Sequence, residues 1–421
     1  MSLRTLFLFC LLWCSAGFLF AQAPILLVPD RVFDGETMHD EWAVLVEGKY
    51  ISAIGPLGDF PIPYEAQRIE LPDLTLMPGM IEGHSHILLY PYNQTPWNDQ
   101  VLVESEAERV ARATVHLDRT LQAGVTTMRD LGSEGAGYAD VGLKRAVEKG
   151  IIPGPHLLVA GPAIVATGSY GPKGFAPHVR VPLGAEVADG YDDLIRVTRD
   201  QIGKGADVVK VYCDYRWGPN GEARPTFTQK ELELIVEVAS SSGRPVVAHA
   251  ATAEGMRRAT LAGVQTIEHG DGGTPEVFAL MAERGVALCP TLAAPDAILQ
   301  YRGWKKGEEP EPERLQRKRT SFAQALAAGV PIVAGGDVGV YAHGDNVREW
   351  ELMVNYGMPT LEVLRAVTAG NADLLNLDDR GRVRRGKLAD LIAVEGQPEE
   401  NISDLRRVRM VMKAGKIYRH E

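Results

Sequence analysis

His84 and His86 stand two residues apart in the run Leu76-Met77-Pro78-Gly79-Met80-Ile81-Glu82-Gly83-His84-Ser85-His86. On an extended strand that spacing sends both imidazoles to one face. Four more residues each close a short apolar run: Lys210 after 206–209, His249 after 244–248, His269 after 264–268 and Asp337 after 331–336. Imidazole is the commonest protein ligand for zinc and its neighbours, and carboxylates join it readily. A lysine in an apolar run carries a charge that burial opposes, so it must be paired, discharged or modified. Reaction of its amine with carbon dioxide would give a carbamate, a carboxylate long enough to bridge two metals. Singly, each residue has an ordinary account: a satisfied core histidine, a snorkelling lysine, a turn or capping aspartate. Together, at successive strand ends, they predict a cage for two divalent ions and a hydrolase that activates water.

The elements that would hold them follow from patterning. From Gly124 to Gly336 a unit recurs: short apolar strand, loop, amphipathic helix, then Gly or Pro. Strands are expected to end near Arg129, Val159, Val211, His249, His269, Pro290 and Gly336, with residues 81–86 as the first. Helices are expected over 105–122, 191–202, 229–240, 275–283 and 314–327, where apolar residues recur at three and four. The alternation predicts an α/β fold, a parallel (β/α)8 TIM barrel over residues 77–378. A doubly wound open sheet shares the alternation but does not explain chemistry at so many strand ends. The flanks, 22–76 and 379–421, carry short alternating strands broken by Gly and Pro, and together predict a small β-sandwich domain formed from both chain ends. Two insertions, 163–184 and 303–319, are expected on the barrel rim, where long loops shape substrate pockets.

Residues 1–21 differ from the rest. Arg4 precedes an unbroken apolar run over 6–13, then small residues and Ala21-Gln22-Ala23. This pattern predicts a secretory signal peptide cut after Ala21, and a secreted or periplasmic protein free of the membrane once cleaved. The formal net charge is −11, with no basic block, which argues against nucleic acid and anionic membrane as partners. Cys213 and Cys289 follow the signal and fall in expected core strands, so they are read as buried thiols.

The order His-x-His, Lys, His, His, Asp resembles the amidohydrolase superfamily, in its binuclear branch with a carboxylated lysine, and the likeness runs from about Ile25 to the C-terminus. Thr126-Thr127-Met128-Arg129-Asp130-Leu131-Gly132, His343-Gly344-Asp345-Asn346 with Glu349, and Gly386-Lys387-Leu388-Ala389-Asp390-Leu391 resemble the imidazolonepropionase-like and Xaa-Pro dipeptidase-like group. That group includes enzymes that hydrolyse N-acyl amino acids and the amide of ochratoxin. The resemblance implies that His84, His86 and Asp337 hold the more buried metal, that His249 and His269 hold the second, and that a carbamate on Lys210 bridges both. Zinc is the first expectation for the two divalent ions, and the ligand set also suits manganese and cobalt. Asp337 would pass a proton from the nucleophile to the departing nitrogen, with His343 or Tyr212 as oxyanion donors.

The chain departs from its peptidase-like relatives at two points. Their histidine in a Gly-rich loop after the third strand is replaced here by Thr167-Gly168-Ser169-Tyr170-Gly171, and their Tyr or His two residues past the fifth-strand ligand is Ala251. Substrate contacts are therefore expected among Tyr170, His178, Arg180 and Arg216, with Tyr212 and His343 beside them. The expected activity is that of an exported binuclear amidohydrolase. It would use metal-bound hydroxide to cleave an amide of a small peptide-like or N-acyl amino acid substrate, as a monomer or a homo-oligomer. A deaminase or lactonase on the same barrel is the alternative in enzyme space, and a non-catalytic secreted metal-binding barrel is the alternative outside it. Lys210 counts against a one-metal deaminase, and the complete ligand set with Asp337 counts against an inert barrel.

Overall fold

The computed structural model describes residues 23–421, so the expected signal segment lies outside the described residues. Two parallel sheets carry the strands that bear His84, Lys210, His249 and His269. One joins Met80–Ser85, Val125–Asp130 and His156–Val159. The other runs in the order Glu186–Val187, Ile164–Val165, Val209–Tyr212, Val246–Thr252, Thr266–Gly272 and Ala287–Cys289. The strands are apolar and almost wholly buried, as parallel strands covered on both faces must be. Further hydrogen bonds link the two sheets. Asp207 N donates to Val159 O at 2.8 Å and Gly83 N to Ala334 O at 2.9 Å, and parallel bridges join Leu288 to Ile332 and Ser85 to Val338.

The helices begin and end where local chemistry directs. Glu106–Gln122 starts behind Ser105, whose side chain accepts from Glu108 N. Gln229–Ser240 starts at a full capping box between Thr228 and Glu231. Gly190–Lys204 stops at Gly205, which takes the left-handed conformation at φ 113°. Pro275–Arg284 and Glu313–Ala327 match the expected helices within a residue or two, and the latter occupies the C-terminal part of the 303–319 insertion. The 163–184 insertion is irregular apart from Ile164–Val165. The expected last strand, ending near Gly336, forms no regular strand, only the bridges at Ile332 and Val338. Its backbone lies too close to the first strand for a regular ladder: a Cβ at Gly335 would come within 2.5 Å of His84 N, and Asp337 turns to φ 66°.

Both chain ends enter one eight-stranded sheet. Its order is Lys416–His420, Val408–Lys413, Leu391–Glu395, Gln67–Pro78, Ile25–Phe33, Trp42–Glu47 and Tyr50–Pro56, with Met38–Asp40 alongside Ile25–Phe33. The seam between the ends is the antiparallel pairing of Leu391–Glu395 with residues 74–78. Alternation gives the sheet two apolar faces: Ile25, Leu27, Val44, Val46 and Met410 bury on one, Leu26, Ala43 and Leu45 on the other. Cys213 and Cys289 are buried free thiols.

Candidate metal centre

His84 lies on Met80–Ser85 and His86 just past its end, and both ring edges face Asp337. His84 Nε2 is 3.7 Å and His86 Nε2 3.4 Å from the same oxygen, Asp337 Oδ1. The opposite nitrogens are engaged: His84 Nδ1 lies 2.7 Å from Glu268 Oε2, and His86 Nδ1 donates to the Gly132 carbonyl at 2.9 Å. Such partners fix the ring and leave the Nε2 lone pairs facing inward. His269 Nδ1 meets Thr291 Oγ1 at 2.8 Å, which frees its Nε2 in the same way. His249 turns its Nε2 towards Asp214, 3.8 Å away, leaving Nδ1 as the uncommitted nitrogen. The rings are close, with centroids 4.4 Å apart for His249 and His269 and 5.2 Å for His84 and His269. Lys210 enters from the strand that pairs with His249's, in the register Lys210 to Val247 and Tyr212 to His249.

Burial sets the charge state of this cluster. Desolvation, aided by neighbouring cationic groups, holds His84 and His269 well below the usual imidazole range and brings His249 down to about 3. These rings are neutral near pH 7, the form that donates to a metal. Burial also lowers the Lys210 amine against the pull of Glu268, and raises the Asp337 carboxyl against the pull of His86 and Lys210. Lys210 Nζ and Asp337 Oδ1 are buried without a hydrogen-bond partner. Buried polar atoms are nearly always satisfied, so two orphans among neutral imidazoles call for a ligand. Divalent cations fit that donor set. A second grouping, His84 with Glu268 and Cys289, fits less well: Glu268 is already shared between His84 and Arg129, and burial pushes the Cys289 thiol well up.

Several residues to which the sequence assigned no role at the site support the candidate ligands. Arg129, 1% exposed, donates to Gly83 O at 2.7 Å, Thr266 Oγ1 at 3.2 Å and Glu268 Oε1 at 3.1 Å. Guanidinium, Glu268 and His84 thus form a continuous relay beneath the site. Glu82 accepts from His84 N, Gly336 N and Asn346 Nδ2, and burial pushes its carboxyl up to about 7. Asn371 donates to Ile81 O and Ala334 O and accepts from Ala334 N, pinning the histidine strand to the segment that carries Asp337. Asp214 collects the Ala251 and Thr252 amides beyond His249. Lys318 donates to the His269 carbonyl at 2.7 Å. The available signal was an acidic residue inside an apolar run beside an expected ligand, as at Glu82 and Glu268. The backbone marks the centre too: of the eight described non-glycine residues with positive φ, His269 (78°), Asp337 (66°), Thr291 (49°) and Glu134 (48°) lie here, and Glu41, Asp73, Asn376 and Ala414 lie elsewhere. Strain of that kind persists only where surrounding structure enforces it.

The remaining expected site residues divide. Tyr212 stacks on His249 at 4.5 Å and 13°, and the Tyr170 ring lies 4.8 Å from Tyr212, so both join the cluster. Arg216 is exposed, 5.4 Å from the Tyr215 ring that itself flanks His249. His178 and Arg180 are exposed in the 163–184 insertion. His343 Nε2 bonds the Leu89 carbonyl at 3.0 Å and its ring stacks on His116 at 4.3 Å, while its Nδ1 is buried without a hydrogen-bond partner. It packs behind the turn that follows His86, a placement its motif could not reveal.

The amidohydrolase family model matches residues 75–418. Ochratoxinase of Aspergillus niger is 29% identical over 433 residues, covering 94% of this chain and 85% of its own. A solved Xaa-Pro dipeptidase with methionine bound in its active site shares 30% identity at a TM-score of 0.84, covering 94% of this chain and 100% of that one. A prolidase complexed with N-methylphosphonate-L-proline shares 27% at a TM-score of 0.79, covering 95% and 100%.

Proposed function

Because the chain belongs to the amidohydrolase family, a hydrolase of carbon–nitrogen bonds, we propose that it is an exported binuclear enzyme cleaving an amide of a small peptide-like or N-acyl amino acid substrate. The observation that carries this reading is the pair of buried orphans, Lys210 Nζ and Asp337 Oδ1, among imidazoles that burial keeps neutral. His84, His86 and Asp337 would hold one divalent ion and His249 with His269 a second, zinc being the first candidate. Lys210 would bridge them as a carbamate, formed when its uncharged amine adds carbon dioxide and releases one proton. Divalent ions in such a site lower the pKa of a bound water and polarise a carbonyl.

The chain's own residues supply the rest. Asp337, with its carboxyl raised by burial, is placed to take a proton at Oδ1 and return it to the leaving nitrogen. Tyr212, whose phenol burial holds well above its usual range, keeps its proton and can donate to substrate oxygen, while the Tyr170 hydroxyl is given to Glu134 Oε2. Their rings, with Trp97 and Tyr215, wall the cluster on one side and limit access of water. The inter-sheet bridges at Ser85 and Leu288 support a closed barrel over 77–378, with 22–76 and 379–421 as the sheet domain.

Elemental analysis of protein purified without chelator, run beside a screen of dipeptides and N-acyl amino acids, tests this reading. Near two equivalents of metal and turnover of either class are expected. No metal after attempted reconstitution, or metal without turnover of any amide, would overturn it. N-terminal sequencing of protein recovered outside the cytoplasm tests export, with Gln22 expected as the first residue.

A further inference from the structure

Glu134 is 3% exposed, and none of its ion pairs is with a lysine or arginine. Oε2 accepts from Trp97 Nε1 at 2.9 Å and from the Tyr170 hydroxyl at 2.7 Å. Oε1 receives no hydrogen bond from the described residues, and its nearest cationic partner is His86 Nδ1 at 4.0 Å, whose proton goes to Gly132 O. The one guanidinium at hand, Arg109, spends its donors on the carbonyls of Leu88, Ser133 and Glu134 itself. It holds the backbone and leaves the carboxylate free. The backbone is held at φ 48°, in a conformation that costs energy for a glutamate. Arg109 acts on the carboxylate through its charge alone and gives it no hydrogen bond, so the group is braced by two donors at one oxygen while the other stays open.

The open oxygen belongs to the reaction centre. The carboxylate's other oxygen is tied to Tyr170, whose ring lies 4.8 Å from Tyr212, and Tyr212 stacks on His249. Only one imidazole width and two short contacts, 4.0 Å and 3.4 Å, separate Glu134 Oε1 from Asp337 Oδ1. The two contacts fall on the two nitrogens of one imidazole, so a cation hydrogen-bonded to Oε1 can belong to a molecule whose nearby carbonyl reaches Asp337. An α-ammonium meets that short span, because one carbon separates it from the scissile carbonyl. A side-chain ammonium of lysine length overshoots it.

Resting on the amide-hydrolase reading of the centre, we propose that Glu134 binds the free α-ammonium of the substrate, which makes the substrate class dipeptides with an unblocked N-terminus rather than N-acyl amino acids. Glu134 forms a charge-assisted hydrogen bond to the ammonium, Trp97 and Tyr170 hold the carboxylate in place, and an acetylated nitrogen has no charge to offer it.

The test separates binding from turnover. Calorimetric titration of the metal-loaded Asp337→Asn protein with L-alanyl-L-methionine and N-acetyl-L-alanyl-L-methionine is expected to give at least tenfold tighter binding of the free dipeptide. Glu134→Gln in that background should abolish the difference, and Glu134→Asp should restore part of it. In the active enzyme, Glu134→Gln should raise KM for dipeptides at least tenfold while kcat changes only a few-fold and metal content stays constant. Equal binding of the two peptides, or a Glu134→Gln protein that keeps the preference, would overturn the proposal even if both peptides were hydrolysed. A loss of kcat together with metal would assign Glu134 to the metal centre instead, and would also overturn it. Failure to hydrolyse any amide while the binding preference persists would count against the proposed function and leave the ammonium site standing.

Discussion

Replacing Lys210 by methionine should have opposite effects on stability with and without metal. The side chain is 1% exposed and its Nζ has no hydrogen-bond partner. Leaving such a group unsatisfied costs about 1–3 kcal/mol, and methionine fills similar space without it. Metal-stripped Lys210→Met is therefore expected to be more stable than metal-stripped wild type by an amount of that order, a rise of a few degrees in Tm. With metal the order should reverse. Wild type gains roughly 2.7 kcal/mol when free metal stands 100-fold above its Kd, and a protein without the bridging group gains less. Denaturation curves at pH 7.5 on chelator-stripped and zinc-reloaded protein, with metal counted by elemental analysis, measure both signs. Lys210→Ala in acetate or propionate should recover part of its metal, because a free carboxylate can stand in for a carbamate. A Lys210→Met protein that is less stable without metal and binds a full complement of it would refute the reasoning, since the amine would then be an ordinary structural partner.

Three other outcomes are expected. Asp337→Asn keeps an oxygen and tolerates φ 66°, so metal should stay while kcat falls about 10²–10⁴-fold; normal turnover would remove the proton-transfer role. Glu268→Gln should weaken metal binding roughly 10–100-fold and cost about 3–5 kcal/mol by stranding the Arg129 charge, read from chelator competition and urea unfolding. Wild-type affinity and stability in that variant would mean the relay to His84 is dispensable. Burial brings His116 from 6.5 down to about 4, so between those pH values the unfolded chain binds the extra proton and stability falls as pH drops. His116→Gln should flatten that fall by up to ~3 kcal/mol, and identical pH profiles in the two proteins would disprove the assignment.

The clustering of the candidate ligands was legible because they are chemically conspicuous and close apolar runs, and strand periodicity put His84 and His86 on one face, where both meet Asp337. Helix limits were legible where a cap announces them, as at Ser105 and Gly205. The support of the ligands was not. Arg129 and Glu268 lie 139 residues apart, and Glu268 and His84 lie 184 apart, so neither pairing leaves a local trace. The last expected strand failed for a local reason, the glycines and the turned Asp337 that let the chain crowd His84. His343 sits in a motif that names a family but not a direction, and its nitrogen bonds Leu89. Glu134 carried no pattern at all; its meaning comes from having Trp97 and Tyr170 on one oxygen and nothing on the other.

The sheet shared by the two chain ends also governs the order in which the molecule can be made. Thr75 on the N-terminal side bonds Gly396, 321 positions later in the chain. At about 5–20 residues per second of synthesis, the early strands wait roughly a quarter of a minute to a minute for their partners. Through that interval Gln67–Pro78 has an open edge, and it leads directly into the strand that bears His84. An edge left open that long invites pairing with other chains, so a chaperone or delayed folding has to cover it. Loss of the last thirty residues would leave that edge open permanently. A truncation that removes residues 391–421 should therefore yield aggregates rather than a weakened enzyme.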